Sequence, residues 1–236
     1  MKALSDLKVI DLGSHLAGSW CAMFLGDLGA EVIHIEQPGG EESKKKGPFV
    51  GKHDKNTSAS FININRNKKG IILDINKDKG KKVLRDLIAT SDVLIEDFES
   101  FAMDRLGFSW QEIQKINPRI IYVSISAFGH DCLPEYAEVP GFDLIAQALS
   151  GIMSITGPYG GPPSRVGTAI GDFYAAVQAA ISILAALYYR IFTDRGQWHD
   201  GSIVDGLSYV LENAVVRYTI ENDIPVPLGG IHPSIT

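Results

Sequence analysis

The start of the chain leaves little freedom in choosing a fold. Leu7 to Leu12 is a short apolar run that stops at Gly13. Gly18 to Leu28 then carries apolar residues at helical spacing and closes on Gly29, and Glu31 to Ile35 alternates as a strand. Strand, helix and strand in so short a stretch make a βαβ unit, whose right-handed crossover sets the two strands parallel.

The same alternation continues. Ile71 to Ile75 reads as a strand and Lys79 to Thr90 as a helix. Val93 to Ile95 is a further strand, Trp110 to Ile116 a short helix ended by Asn117-Pro118, and Ile120 to Ile125 a β-branched strand. The pattern predicts an α/β fold: a Rossmann-like parallel sheet with flanking helices. Ligands of such sheets bind beyond the carboxyl ends of the strands, so loops after Leu12, Ile95 and Ser126 are expected to converge on a site. Residues 37 to 60, polar and rich in Gly, Ser and Lys, read as a long surface loop of the functional kind.

A dinucleotide site is a weaker expectation. The first turn reads GSHLAG, without the third glycine of G-x-G-x-x-G, and it lacks the Lys-Ser or Lys-Thr of a P-loop. Glu36 stands where a ribose-binding acid would, but with that turn it reads as a loop-ordering acid, and a nicotinamide oxidoreductase is disfavoured.

Composition removes other classes. In 236 residues, 45% are hydrophobic, which excludes a disordered chain. Two cysteines, Cys21 and Cys132, make neither a disulfide scaffold nor a CxxC motif, so a reducing cytoplasm is the expected setting. The amino terminus has no long apolar stretch, and the most apolar window, Phe173 to Tyr189, falls short of the ~20 residues of a membrane span. That window reads as a buried helix, and no membrane partner is expected. Histidines at 15, 34, 53, 130, 199 and 232 show no ligand spacing, so no metal is expected. His130-Asp131-Cys132 is a poor nucleophile candidate, because adjacency in sequence does not aim a base at a thiol. Asn56-Thr57-Ser58 is a glycosylation sequon by letter only.

The net charge of −6 argues against nucleic acid, but it is unevenly spread. Residues 44 to 85 hold 13 of the 22 Lys and Arg against three acids, a local +10 on a body of −16. Such a segment is either a solvated lysine face or a field for a small polyanion.

The most informative local feature lies later. Gly157 to Pro163 holds three glycines and three prolines, which excludes helix and central strand, and the chain then runs through Gly171-Asp172 into the apolar helix. Asp172 falls where a helix N-cap belongs, and its plain role is to accept backbone N–H groups there. A carboxylate beside a Gly/Pro loop at the mouth of an α/β sheet is also placed to act as a covalent nucleophile.

Taken in order, the segments DLGAEVIHIEQPGGE (27 to 41), NRNKKGIILDI (65 to 75), DVLIEDF (92 to 98), INPRIIYVSISAFG (116 to 129) and GFDLIAQALSGIMSITG (141 to 157) resemble those of the family III CoA-transferases. GPPSRVGTAIGDFYAA and ILAALYYRIFTDRGQWHD complete the resemblance, which runs through essentially the whole chain. That family includes formyl-CoA and carnitine CoA-transferases, with the α-methylacyl-CoA racemases as relatives.

The resemblance implies CoA transfer from an acyl-CoA thioester to a carboxylic acid. Asp172 would be the nucleophile, passing through an aspartyl anhydride and an aspartyl-CoA thioester. It implies CoA as substrate with no prosthetic group, and contacts to CoA from Leu16, Ala17, Leu73, Asp97, Phe98, Arg105 and Phe142. The basic segment then reads as a funnel for CoA phosphates, with Arg105 the best phosphate contact.

Phe142 stands where the racemases carry a proton-transferring histidine, which favours transfer over epimerisation. Leu16 stands where formyl-CoA transferases carry glutamine, and Glu99-Ser100-Phe101 replaces the usual Pro-Gly turn. The family is longer, with a second, smaller domain and an interlocked homodimer. Residues 1–205 are therefore expected to form the CoA-binding and catalytic domain, and 206–236 a linker helix with the start of a truncated second domain. An acyl-CoA epimerase and a non-catalytic CoA-binding fragment are the alternatives.

Overall fold

The computed structural model describes residues 2–51, 58–137, 139 and 141–232. The sequon at 56 to 58 and His53 fall partly or wholly outside them. In chain order the elements are β1 (Lys8–Asp11), α1 (Leu16–Asp27), β2 (Glu31–Glu36), α2 (Ala59–Ile64), β3 (Lys68–Ile72), α3 (Asp78–Ala89), β4 (Val93–Glu96) and α4 (Ala102–Arg105). There follow α5 (Trp110–Ile116), β5 (Ile121–Ser126), α6 (Asp143–Leu149), α7 (Ile152–Ile155), α8 (Ile170–Thr193), β6 (Trp198–Ser202), α9 (Ile203–Tyr209) and α10 (Asn213–Val216).

The sheet order is β3-β2-β1-β4-β5-β6, and every neighbouring pair is parallel. The chain begins in the middle, builds outward to β3, returns to β4 beside β1 and builds outward again to β6. The reversal opens a crevice at the carboxyl ends of β1 and β4, where ligands of doubly wound sheets bind.

Period-two alternation divides the core between two faces. Val9, Val93, Ile95 and Val123 face α1 and α8, together with Leu25, Ala179 and Ile183. Ile10, Leu94, Ile120 and Tyr122 face the other way, against Leu84 and Ile88 of α3 and Ile113 of α5.

Several expectations need correction. The third strand is Lys68–Ile72, three residues earlier than the apolar run Ile71 to Ile75 suggests. That run mixes two environments: Ile72 lies on the exposed edge strand, whereas Ile75 has left it and is buried. Strand β6 has the polar sequence WHDGS and gave no apolar signal; it is an edge strand defined by its register on β5. The segment 37 to 60 is not wholly loop, since it contains a 3-10 turn at Glu42–Lys45 and the start of α2.

Helix α8 has 24 residues, long and apolar enough to cross a membrane by length and composition alone. One face is nonetheless buried against the sheet and α1, and Arg190 near its end donates to Asp92 at 2.9 Å. The boundary expected after residue 205 falls within α9, whose Leu207 is fully buried in the main core.

Candidate active site

The turn between β1 and α1 is built by close approach. A Cβ on Gly13 would lie 2.8 Å from the backbone N of Ser19, and one on Gly18 would lie 2.9 Å from Oδ2 of Asp97. Into this tight turn projects the carboxylate of Asp97, from just beyond β4. Oδ1 accepts from the backbone N–H of Ser14 at 2.7 Å, Oδ2 accepts from Gly18 N–H at 3.0 Å, and His15 N–H lies 3.2 Å from both oxygens. The N-terminus of α1, where a dinucleotide fold would hold pyrophosphate, is thus occupied by the protein's own acid. That accounts for the GSHLAG turn and weighs further against a nicotinamide enzyme.

Beside it lies a crevice of about 270 Å³ lined by Ser14, His15, Gln37, Ile75, Asn76, Phe98, Glu99, Ala102 and Leu106. Of the residues expected at CoA, Phe98 lines it directly. Leu16 opens α1 and is half-buried, while the Ala17 methyl belongs to the core and leaves only its backbone for a ligand. Leu73 packs on the second core cluster and donates its N–H to Glu36 O at 2.9 Å, so its neighbours Ile75 and Asn76 take the lining role. Arg105 is exposed next to Leu106, with Nη1 3.4 Å from Ser100 O and Nη2 3.9 Å from Glu99. The sequence reading missed Ser14, His15 and Gln37; Gln37 follows directly on β2, and Ser14 and His15 lie in the turn between β1 and α1, positions at strand ends that could have found them.

The floor of the loop after β2 is ionic. His34 Nδ1 lies 2.8 Å from Oδ2 of Asp11 and Nε2 lies 2.5 Å from Oε1 of Glu41. Lys68 donates to Asp11 at 2.8 Å, to Asn65 at 2.7 Å and to Ser19 O at 2.9 Å. Burial would lower the His34 pKa, but the hydrogen bonds and charges of Asp11 and Glu41 outweigh it and raise it to about 9. Glu36 holds Lys44 at 2.5 Å, matching its expected role as a loop-ordering acid. Several cations of the basic segment are therefore spent within the fold: Lys44, Lys45, Arg66, Lys68 and Lys69 all have carboxylate partners. The lysines around α3 are not among these pairs, and Lys77 immediately follows Asn76 of the crevice.

Asp172 is not the N-cap of its helix. Ala169 is the cap, Asp172 is the third helical residue, and the N–H of Gly171 is taken by Oδ1 of Asp143 at 2.8 Å. Among the described residues no hydrogen bond reaches the Asp172 carboxylate. Burial, then the charge of Asp143, then that of Asp97, push its pKa up to about 7. Asp172 does not line the crevice, but Asp97 acts on both: it binds the backbone of Ser14 and His15 and its charge reaches Asp172.

Phe142, the cap of α6, is 59% exposed and sets Asp143 beside α8. The loop 157 to 163 is pinned at its base, with Ser164 N–H on Thr156 O at 2.8 Å and Gly229 N–H on Gly157 O at 3.0 Å. His130 does not serve Cys132: its Nδ1 pairs with Asp200 at 3.0 Å and its Nε2 accepts from Phe101 N–H at 3.2 Å.

The chain is similar along its length to known proteins. The family model described as CoA-transferase family III matches residues 4–236. A succinyl-CoA:mesaconate CoA-transferase of Haloarcula hispanica is 37% identical over 241 residues, covering 100% of this chain and 60% of that protein. An acetyl-CoA:oxalate CoA-transferase of Acetobacter aceti is 40% identical over 229 residues, covering 96% and 57%. The crystal structure of a CAIB/BAIF family protein from Brucella suis superposes with a TM-score of 0.92 at 36% identity, covering 100% of this chain and 62% of that one. The chain therefore spans about three fifths of the length of these relatives. With a family match along almost its whole length, a switch-point crevice and a buried aspartate at the start of α8, the chain belongs to CoA-transferase family III.

Proposed function

We propose that the protein of which this chain is part transfers CoA from an acyl-CoA thioester to a carboxylic acid, with Asp172 as nucleophile and the crevice beside Asp97 holding the nucleotide end of CoA. The observation that carries the reading is the Asp172 carboxylate, which is buried, has no hydrogen-bond partner among the described residues and has its pKa raised to about 7. A carboxylate of that basicity is a stronger nucleophile than an ordinary aspartate, yet it is half ionised at neutral pH. Its attack also removes a negative charge from beside Asp143 and Asp97, relieving the repulsion that raised its pKa.

The steps balance without metal or ATP. An Asp172 oxygen attacks the thioester carbonyl, the C–S bond breaks, and CoA leaves as thiolate from an acyl-aspartyl anhydride. The thiolate attacks the aspartyl carbonyl and expels the donor carboxylate, leaving an aspartyl-CoA thioester. The acceptor carboxylate attacks that carbonyl and releases thiolate, which then takes the acceptor acyl group and frees Asp172. The N-terminal end of α8 favours each developing oxyanion, and the chemistry requires water to be kept out. We place this work in the cytoplasm, which suits the two unpaired cysteines, and in an interlocked homodimer, which suits the apolar outer face of α8.

Asp172→Asn in the full-length protein should abolish transfer while CoA affinity stays within about twofold, since the crevice does not include the residue. Retained turnover would overturn the assignment. A second reading, proton transfer at the α-carbon of an acyl-CoA, is favoured by one observation: Asp172 with its pKa near 7 beside Asp143. Deuterium entering the substrate's α-carbon from D₂O, without acceptor-dependent turnover, would establish it instead.

A further inference from the structure

Gln147 is a fully buried amide in α6, one turn beyond Asp143. Its Nε2 donates to Oδ2 of Asp143 at 2.7 Å and to the carbonyl of Thr168 at 3.3 Å, and its Oε1 accepts from Val166 N–H at 2.8 Å. The amide can point only this way, because a flip would set its oxygen against two acceptors and its NH₂ against a donor. One side chain therefore joins α6 to the segment that enters α8.

The other oxygen of Asp143 completes the path by accepting from Gly171, directly before Asp172. Gly171 leaves room for this approach and for little else: a Cβ there would lie 2.9 Å from Ile203 Cγ2 and 3.2 Å from Asp143 Oδ1.

We propose that Gln147 is a positioning residue for the reaction: by holding Asp143 against the start of α8 and tying down residues 166–168, it sets the position and surroundings of the Asp172 carboxylate. The inference rests on the nucleophile reading for its consequence in catalysis. Its structural half, control of Asp172, stands apart. Among the described residues, the charged groups that act on Asp172 are Asp143 from α6 and Asp97 from the end of β4. Gln147 acts on the first. Without its donor, Asp143 swings away or loses charge and the segment opens to water, and every one of these changes makes Asp172 easier to ionise.

The test is a carboxyl ¹³C titration of Asp172 in full-length protein labelled at aspartate, with the resonance assigned by its loss in Asp172→Asn. Gln147→Met, which keeps length but neither donates nor accepts, should lower the Asp172 midpoint by about one pH unit. Asp143→Asn should lower it as well, and the double variant should shift the midpoint by less than the sum of the two single shifts, because part of the effect of Gln147 passes through Asp143. Steady-state kinetics should then show kcat reduced with KM for the acyl-CoA changed by less than about twofold, since the crevice loops are untouched.

Should Gln147→Met not fold, Gln147→Asn retains an amide, withdraws it by one carbon and should shift the midpoint in the same direction. An unchanged midpoint in a folded Gln147 variant, or shifts that add in the double variant, would overturn the proposal. The titration needs no substrate. A midpoint that moves in a protein that never forms an acyl-aspartate would retire the nucleophile and leave the positioning role standing.

Discussion

At the scale of single residues, the account turns on carboxylates in unusual surroundings. Asp172 has a folded pKa of about 7 against an ordinary 3.8, so the folded state binds its proton more tightly than the unfolded state does. Stability from this group is therefore present below the ordinary value and is lost as pH rises toward 7. Asn at this position carries no such penalty. Denaturant melts of Asp172→Asn should show a gain on the order of 2–4 kcal/mol at pH ~8 that disappears below pH ~4, the opposite of what loss of a helix cap would do. His34 has the same sign at higher pH. Its folded value of about 9 lies above the ordinary 6.5, so its contribution is full below 6.5 and is lost as pH rises through 9. A His34→Gln variant should melt with little pH dependence over that window, where the parent loses on the order of 2–3 kcal/mol.

At the scale of elements, the turn between β1 and α1 depends on two glycines and one acid. Gly18→Ala would drive a methyl group to 2.9 Å from Oδ2 of Asp97. It should cost roughly 1–3 kcal/mol by overpacking and should weaken CoA binding, measured by calorimetry, because Ser14 and His15 are held by the same carboxylate. What the sequence revealed follows from how each element is stabilised. β1, β2, β4 and β5 are buried by apolar side chains and announce themselves. β3 and β6 are edge strands held by backbone pairing, so Lys68-Lys69-Gly70 and WHDGS carried no such signal. Asp172 was legible as a candidate because a Gly/Pro loop runs into an apolar helix, but the cap role its position suggested is not its own, because the group that takes the Gly171 N–H, Asp143, arrives from another helix. Asp97 and Phe98 follow directly on β4, as their place in the sequence implies, while the burial of the Asp97 carboxylate in the α1 turn required three-dimensional contacts between residues 79 to 83 positions apart.

At the scale of the molecule, one face of α8 stands out. Ile181, Leu184, Tyr188, Ile191 and Phe192 recur at helical spacing on its outer side, with Ile191 75% and Phe192 70% exposed. A contiguous apolar stripe of this kind calls for a covering surface. The isolated 236-residue chain should self-associate in sedimentation velocity, and Ile181→Lys with Phe192→Lys should restore a monomer without altering CoA affinity. Monomeric behaviour of the parent chain would show that the stripe needs no cover. The central claim remains the covalent one, that Asp172 carries the acyl group and then CoA. The most direct measurement is to mix full-length protein with an acyl-CoA and hydroxylamine and examine the peptide containing Asp172 by mass spectrometry. The account predicts a hydroxamate on Asp172 that requires the acyl-CoA and is absent from Asp172→Asn; an unmodified Asp172 in protein that turns over its substrates would contradict it.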